Sequence, residues 1–229
     1  MAGDSAGNGG DGDADHIDPR KPWESRAFRD WWEADFSWEG LAAKRQRPRD
    51  EDSSTLQDYW REQGLTEDDL IDFAGRKWTP FHLPLWDLEG NKSPKAEWSG
   101  EQLEAFHAGL KKLLHAAPLP ETETRGGGPD GKDGDEDSAG EEDEGPPPDL
   151  PDAFLDGVFI SGDFDISGHE VRGRTHLTRA WVAGEFRCTR AKFRGDVFGQ
   201  WSVIQDWAFF AGARFQGRAV FKSVTFFRP

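Results

Sequence analysis

From residue 150 onward a large apolar residue returns at a short, nearly constant interval. One register reads Phe154, Phe159, Phe164, Val171, Leu177, Val182, Cys188, Phe193, Phe198, Ile204, Phe210, Phe215, Phe221, Phe226. From Val171 to Phe226 every step is five or six residues, in near alternation. That matches neither the 3.6-residue period of a helix nor the 2.0-residue period of a strand, so a short β-meander does not explain it. A fixed internal period predicts a solenoid, in which each unit buries its apolar side chains only by stacking on the next. A second feature is locked to the first: Ala180, Ala191, Ala208, Ala213 and Ala219 each stand two residues before a large one. A small and a large residue pointing inward together are what a narrow coil needs, with Arg, Lys, Asp and Gln left for the outside.

The segment GARFQGRAVFKSVTFF carries this pattern most clearly. In these residues the chain resembles the pentapeptide-repeat family, in its Phe-rich form with A-x-F-x-G units and six-residue spacers. The likeness covers residues 150–229, about a third of the chain. It implies a right-handed quadrilateral parallel β-helix with about 20 residues per coil, hence three to four coils here. The stretch FDISGHEVRGRTHL (164–177) fits poorly: Ile166 competes with Phe164, and His169 stands where Phe is expected. A bulge or loop is therefore expected near 165–175. Phe186 and Phe209 fall off the register.

The preceding region, 19–120, has helical texture. Ser25 is placed to cap a helix through about Phe36, with Phe28, Trp31, Trp32 and Phe36 along one stripe. A short helix runs from Thr55 to Gln63, stopped by Gly64. Thr66-Glu67-Asp68-Asp69 resembles a capping box and predicts a helix carrying Leu70, Ile71 and Phe73 as far as Gly75. The clearest helix starts at Ser99, with Gln102 completing a capping box, and ends at Pro118. Between them WTPFHLPLWDLEGN reads as an irregular connector. The fold class is thus a two-part α+β chain: a small, mostly helical domain and a parallel β-helix.

Charge sharpens these boundaries. The chain of 229 residues has a formal net charge of −16, yet 150–229 carries +3. Residues 1–18 hold five Asp and no Lys or Arg, and 121–149 hold 12 acids against Arg125 and Lys132. Neither segment has the apolar content to offset its ordering entropy, so both are expected to be disordered, the first as a tail and the second as a linker. Eight of the 11 Trp lie in 19–120, enough for a core.

Candidate chemistry is sparse. His82, His107 and His115 are not at metal-ligand spacing, and Asp68, Asp69 and Asp72 suit a helix start. No phosphate loop, nucleophile elbow or zinc-protease motif is present. The single cysteine, Cys188, excludes an internal disulfide, and a reducing cytoplasm is the expected compartment. No catalytic, cofactor-binding or metal-binding residue is expected, nor is a membrane span.

The function expected is therefore a non-catalytic scaffold or protein–protein interaction module with an unidentified protein partner. Val224, Phe226 and Phe227 close the repeat without a polar cap, which makes them the candidate interface, for a homodimer or for further coils of a longer, membrane-anchored protein. Two alternatives follow. Some proteins of the resembling family mimic duplex DNA and bind type II topoisomerases, but mimicry needs a negative rod and this repeat is positive. Arg172, Arg174, Arg179, Arg187, Arg190, Lys192 and Arg194 form a basic cluster for nucleic acid, a partner not expected beside the acidic linker. The basic run KRQRPR at 44–49 is followed by Asp50, Glu51 and Asp52 and reads as a solvated loop.

Overall fold

The computed structural model describes residues 18, 20–47, 53–119 and 150–227. All of the acidic tail but Asp18, the whole of the acidic linker and part of the 44–49 basic run lie outside them.

In the first half, helices begin where a polar cap precedes an apolar face. α1 (Arg26–Glu33) starts behind Ser25, whose side chain accepts the Phe28 N–H, and it buries Phe28, Trp31 and Trp32. It is shorter than the sequence implies. The chain reverses at Asp35, left-handed at φ 52, and restarts as α2 (Trp38–Ala42) behind Ser37. Gly40 is required there, since a Cβ would sit 2.2 Å from the Asp35 carbonyl oxygen. α3 (Leu56–Glu62) has its capping box between Thr55 and Asp58.

The helix expected after Thr66 does not form. Asp69 accepts both the N–H and the O–H of Thr66, but the turn ends at Asp69. The chain then makes an antiparallel hairpin, β1 (Ile71–Phe73) and β2 (Arg76–Trp78). The physical reason is the loop: Ala74 and Gly75 are both left-handed, the geometry of a two-residue hairpin turn. α4 (Gly100–Leu113) has the Ser99–Gln102 capping box. After it His115, at φ 50, redirects the chain into β3 (Ala116–Pro118).

The second half is a four-sided parallel β-solenoid of three and a half coils. One side holds β4 (Ala153–Phe154), β8 (Thr175–His176), β12 (Val197–Phe198) and β16 (Ala219–Val220). The next holds β5 (Phe159–Ile160), β9 (Trp181–Val182), β13 (Val203–Ile204) and β17 (Thr225–Phe226). The third holds β6 (Phe164–Asp165), β10 (Phe186–Arg187) and β14 (Ala208–Phe209). The fourth holds β7 (His169–Val171), β11 (Lys192–Phe193) and β15 (Arg214–Phe215), with β3 added antiparallel on β7.

Every rung pairs with its equivalent one coil on, as in Phe159↔Trp181 and Phe186↔Ala208. The repeat distance is 22, as in the hydrogen bond from the Glu185 N–H to the Asp163 carboxylate one coil earlier. Each coil therefore spends four apolar steps of five or six residues, and is longer than a coil of strict pentapeptides. The pairs Phe164↔Phe186 and Val171↔Phe193 keep that register, so the bulge expected near 165–175 is absent.

Two kinds of corner alternate. The wide corners are turned by left-handed residues in two columns, Gly157, Arg179, Trp201, Ser223 and Gly168, Arg190, Gly212. At the tight corners successive backbones press together. A Cβ on Gly184 would lie 2.5 Å from the carbonyl carbon of Gly162, and one on Gly195 would lie 2.6 Å from the Gly173 oxygen. Only glycine fits that approach.

Each rung sends two side chains inward, commonly a smaller and a larger: Ala180 with Val182, Ala191 with Phe193, Phe164 with Ile166. Phe164 and Ile166 therefore do not compete, and Phe186 is inside, stacked on Phe164 at 6.2 Å.

Three residues expected in the stacked core lie outside it. Phe154 meets Tyr59 edge-on, and Phe159 meets Trp31 and Trp86. Phe198 stacks on His176, with the Arg218 guanidinium over its ring. They occupy the middle position of the rung, which points away from the coil axis. The inward neighbours on the first two of these rungs are Leu155 and Ile160, at 1% exposure each. The other expected core residues sit on inward positions, and Phe221 and Phe226 do so at the open end.

The two halves share one core. Phe28 packs edge-on against Trp181 at 5.4 Å, Trp31 against Phe159 at 5.4 Å, and Phe159 stacks on Trp181 at 5.7 Å. The helical region is thus a lid on the first coils.

Candidate interaction surface

The end of the solenoid next to the helices is closed by a row of polar groups that take up the backbone of the first coil. His82 Nε2 bonds the Asp156 carbonyl at 3.2 Å, Lys95 Nζ the Phe159 carbonyl at 2.6 Å, and His107 Nε2 the Ser161 carbonyl at 2.8 Å. The Phe159 N–H donates to the Phe81 carbonyl, and β3 pairs with β7. Open strand edges are sticky, and here side chains and a short strand cover them.

The charge states follow from burial. His82 is fully buried, and Thr79 Oγ1 accepts the N–H groups of Phe81 and His82, leaving its own proton for Nδ1 at 2.8 Å. Nε2 therefore carries the ring proton, and burial holds His82 at about 3, as a neutral imidazole. Lys95 is 1% exposed, donates to Pro80 and Phe159 carbonyls, and lies 4.1 Å above the Phe106 ring. Its amine faces carbonyls and rings, so desolvation drives it well below the usual lysine range. Burial likewise pushes Asp156 up to about 6, although its carboxylate accepts the Thr178 N–H. Perturbed groups often mark catalytic sites, but His82, Lys95 and Asp156 each hydrogen-bond backbone of the seam they close.

The other polar candidates are dispersed. Asp69 closes the Thr66 turn, and its carboxyl is lowered by those hydrogen bonds. Among the described residues no group of three His, Cys, Asp or Glu could hold a metal ion. Cys188 is buried and its thiol is pushed far up by desolvation, which removes nucleophilic character. The basic cluster is laced with acids: Arg172 pairs with Glu170, Arg187 with Glu185 and Asp163, and Arg194 with Glu170. Arg179 donates to the Asp30 carbonyl. Among the described residues no helix is long and apolar enough to cross a membrane.

Among the described residues the opposite end of the solenoid lacks such a cover. β14, β15, β16 and β17 are the terminal strands of their sheets among the described residues. Phe210, Phe215 and Phe221 form a ring cluster there, with centroids 6.0 to 6.4 Å apart. Of the six exposed large apolar side chains among the described residues, five fall beyond residue 200: Trp201, Trp207, Phe209, Phe221 and Phe226. Of the residues expected to form the interface, Phe226 is half exposed, while Val224 and Phe227 are partly buried, Phe227 resting edge-on against Trp181. Trp207 and Phe209 are additions to that expected interface. Their signal in the sequence is two aromatics at outward positions of one rung.

Comparison with known proteins adds no relative: the chain matches no family model, no curated protein and no solved structure.

Proposed function

We propose that this chain is a non-catalytic pentapeptide-repeat scaffold, a protein–protein interaction module that docks a partner on the uncovered end of its solenoid. The observation that carries this reading is the concentration of exposed aromatic side chains on the last coil and a half. Apolar patches left in water mark interaction sites. The paired small and large inward residues support the pentapeptide-repeat assignment, with five- and six-residue steps alternating.

The occupant tested first is a second copy of the chain, meeting at Val224, Phe226 and Phe227. Sedimentation of the 229-residue protein is expected to show concentration-dependent association that Phe226→Asp abolishes without lowering the melting temperature. A protein that stays monomeric at high concentration overturns self-docking. Topoisomerase mimicry is disfavoured by the +3 charge of 150–229, and nucleic-acid binding by the carboxylates paired along the arginine cluster.

A further inference from the structure

The outward charges of the solenoid are sorted by side. The third side shows Asp163, Asp165 and Glu185, with Arg187 bridging Asp163 and Glu185. The fourth side is basic. Its outward column reads Glu170, Lys192, Arg214, one residue per coil. Arg172 and Arg194 stand two residues on from Glu170 and Lys192, and Arg190 holds the corner between Gly168 and Gly212. These five cations share the side with one carboxylate, Glu170, which meets both Arg172 and Arg194. Arg172, Arg190 and Arg214 are exposed, and Lys192 and Arg194 half-buried.

The chain enters and leaves its acidic segment, 121–149, on this same side. Before the segment, β3 pairs with β7, and the Leu119 N–H donates to the Gly168 carbonyl at 2.8 Å, at one corner. After it, the Pro151 carbonyl lies against Gly173 at the other corner, where a Cβ would be 2.8 Å away, and the Ala153 N–H donates to the Arg174 carbonyl. From Gly168 to Gly173 is about 16 Å of extended strand, and residues 120–149 hold chain for several times that reach. Lys192 and Arg214 lie one and two strand spacings below β7, about 5 and 10 Å. The middle of the segment, 133–144 (DGDEDSAGEEDE), carries eight carboxylates and no Lys or Arg. The N-terminal acids enter elsewhere: Asp18 leads into α1, which lies over Phe159 and Trp181 on the opposite side.

We propose that the fourth side is a docking surface for acidic polypeptide, and that its occupant is the chain's own stretch 133–144. Charge complementarity and the two anchor points carry the argument. A tethered segment meets its surface at an effective concentration on the order of millimolar, so modest ion pairing suffices. Guanidinium forks take carboxylates two oxygens at a time, which suits a run of Asp and Glu. An acidic partner reaches this side only by displacing 133–144.

The test uses a fluorescent peptide with the sequence of 133–144, read by anisotropy against the full chain and against a full chain whose Asp and Glu at 133–144 are changed to Asn and Gln. The peptide is expected to bind the neutralised chain at least tenfold more tightly than the native one, and to be released at about 1 M salt, where the screening length is about 3 Å. Neutralising the five Asp of 1–18 instead brings no such gain. Adding Lys192→Glu and Arg214→Glu to the neutralised chain, with unchanged melting temperature, weakens the peptide at least tenfold. Adding Phe226→Asp does not, which separates this side from the open coil end. Equal binding to native and neutralised chains, an equal gain from neutralising 1–18, indifference to the two charge reversals, or no binding at all each overturn the proposal. So does a short DNA duplex that binds the neutralised chain more tightly than the peptide, which would make the side a nucleic-acid surface.

Discussion

The first two coils and the last coil and a half are built from the same repeat, yet they end in opposite states. In the first, outward aromatics such as Phe159 and Trp181 are fully buried under α1. Strand edges there meet Lys95, His107, His82 and β3. In the second, Trp201, Trp207 and Phe209 are in water and the strands β14 to β17 have no neighbour on one side among the described residues. The repeat alone does not decide what is core and what is surface. The cover does.

The largest effect is expected where the contrast is sharpest. Trp181→Ala removes a fully buried ring between Phe28 and Phe159, and should lower unfolding stability in urea by about 3–5 kcal/mol. Trp201→Ala, one coil on and half exposed, should change it by no more than about 0.5 kcal/mol. Equal losses would erase the distinction between covered and uncovered coils.

Corner glycines sharpen the comparison differently. Gly184→Ala drives a Cβ to 2.5 Å from backbone that cannot yield, and should cost about 1–3 kcal/mol. Gly162→Ala has open space and only a left-handed φ of 69, and should cost about 1 kcal/mol. A reversed order in the same urea melts would mean that the stacked corner relaxes.

Lys95→Met keeps the stem but orphans the Pro80 and Phe159 carbonyls, for a loss of about 1–3 kcal/mol. If the variant is instead more stable, desolvating the amine outweighs its two hydrogen bonds.

The smallest effects concern pH. His82 has its folded pKa depressed to about 3, so its contribution is whole above about pH 6.5 and shrinks as the pH falls from there. Asp156 is raised to about 6, so acidification from pH 7 to about pH 4 relieves a buried charge. These two oppose each other between about pH 6 and 4. Asp156→Asn should therefore steepen the acid loss of stability, and His82→Gln should flatten it, each by about 1 kcal/mol per pH unit. Melting temperatures across pH 4–7 that respond identically in both variants would sink this account.

Part of this structure is written in short stretches of chain. The alternating five- and six-residue apolar steps foretell a stacked four-sided coil, although the coil of 22 residues is longer than the roughly 20 that the family likeness implies. The Thr55–Asp58 and Ser99–Gln102 pairs foretell two helix starts, because a capping box is complete within four residues. Local signals also mislead: the same Thr-x-x-acid pattern at Thr66 opens only a single 3-10 turn, after which the chain pairs Ile71–Phe73 with Arg76–Trp78 in a hairpin.

The open coil end is legible as well, at Phe226, but the covering of the flank is not. It depends on α1 lying over Phe159 and Trp181, while one coil on Val203 is buried as well and Thr225 beyond it is half-buried. Phe159, under the lid, and Phe164, inside the coil, hold the same place in the five-residue register, and only the contacts of Phe159 with Trp31 and Trp86 show what covers it. The stacked coil, capped helix starts and the charge of each segment can be read along the chain, since they rest on near neighbours. Which aromatics are covered, why a lysine is buried and where surface remains open follow only from folding. Those features depend on contacts between distant segments, such as Lys95 with the Phe159 carbonyl, 64 positions apart.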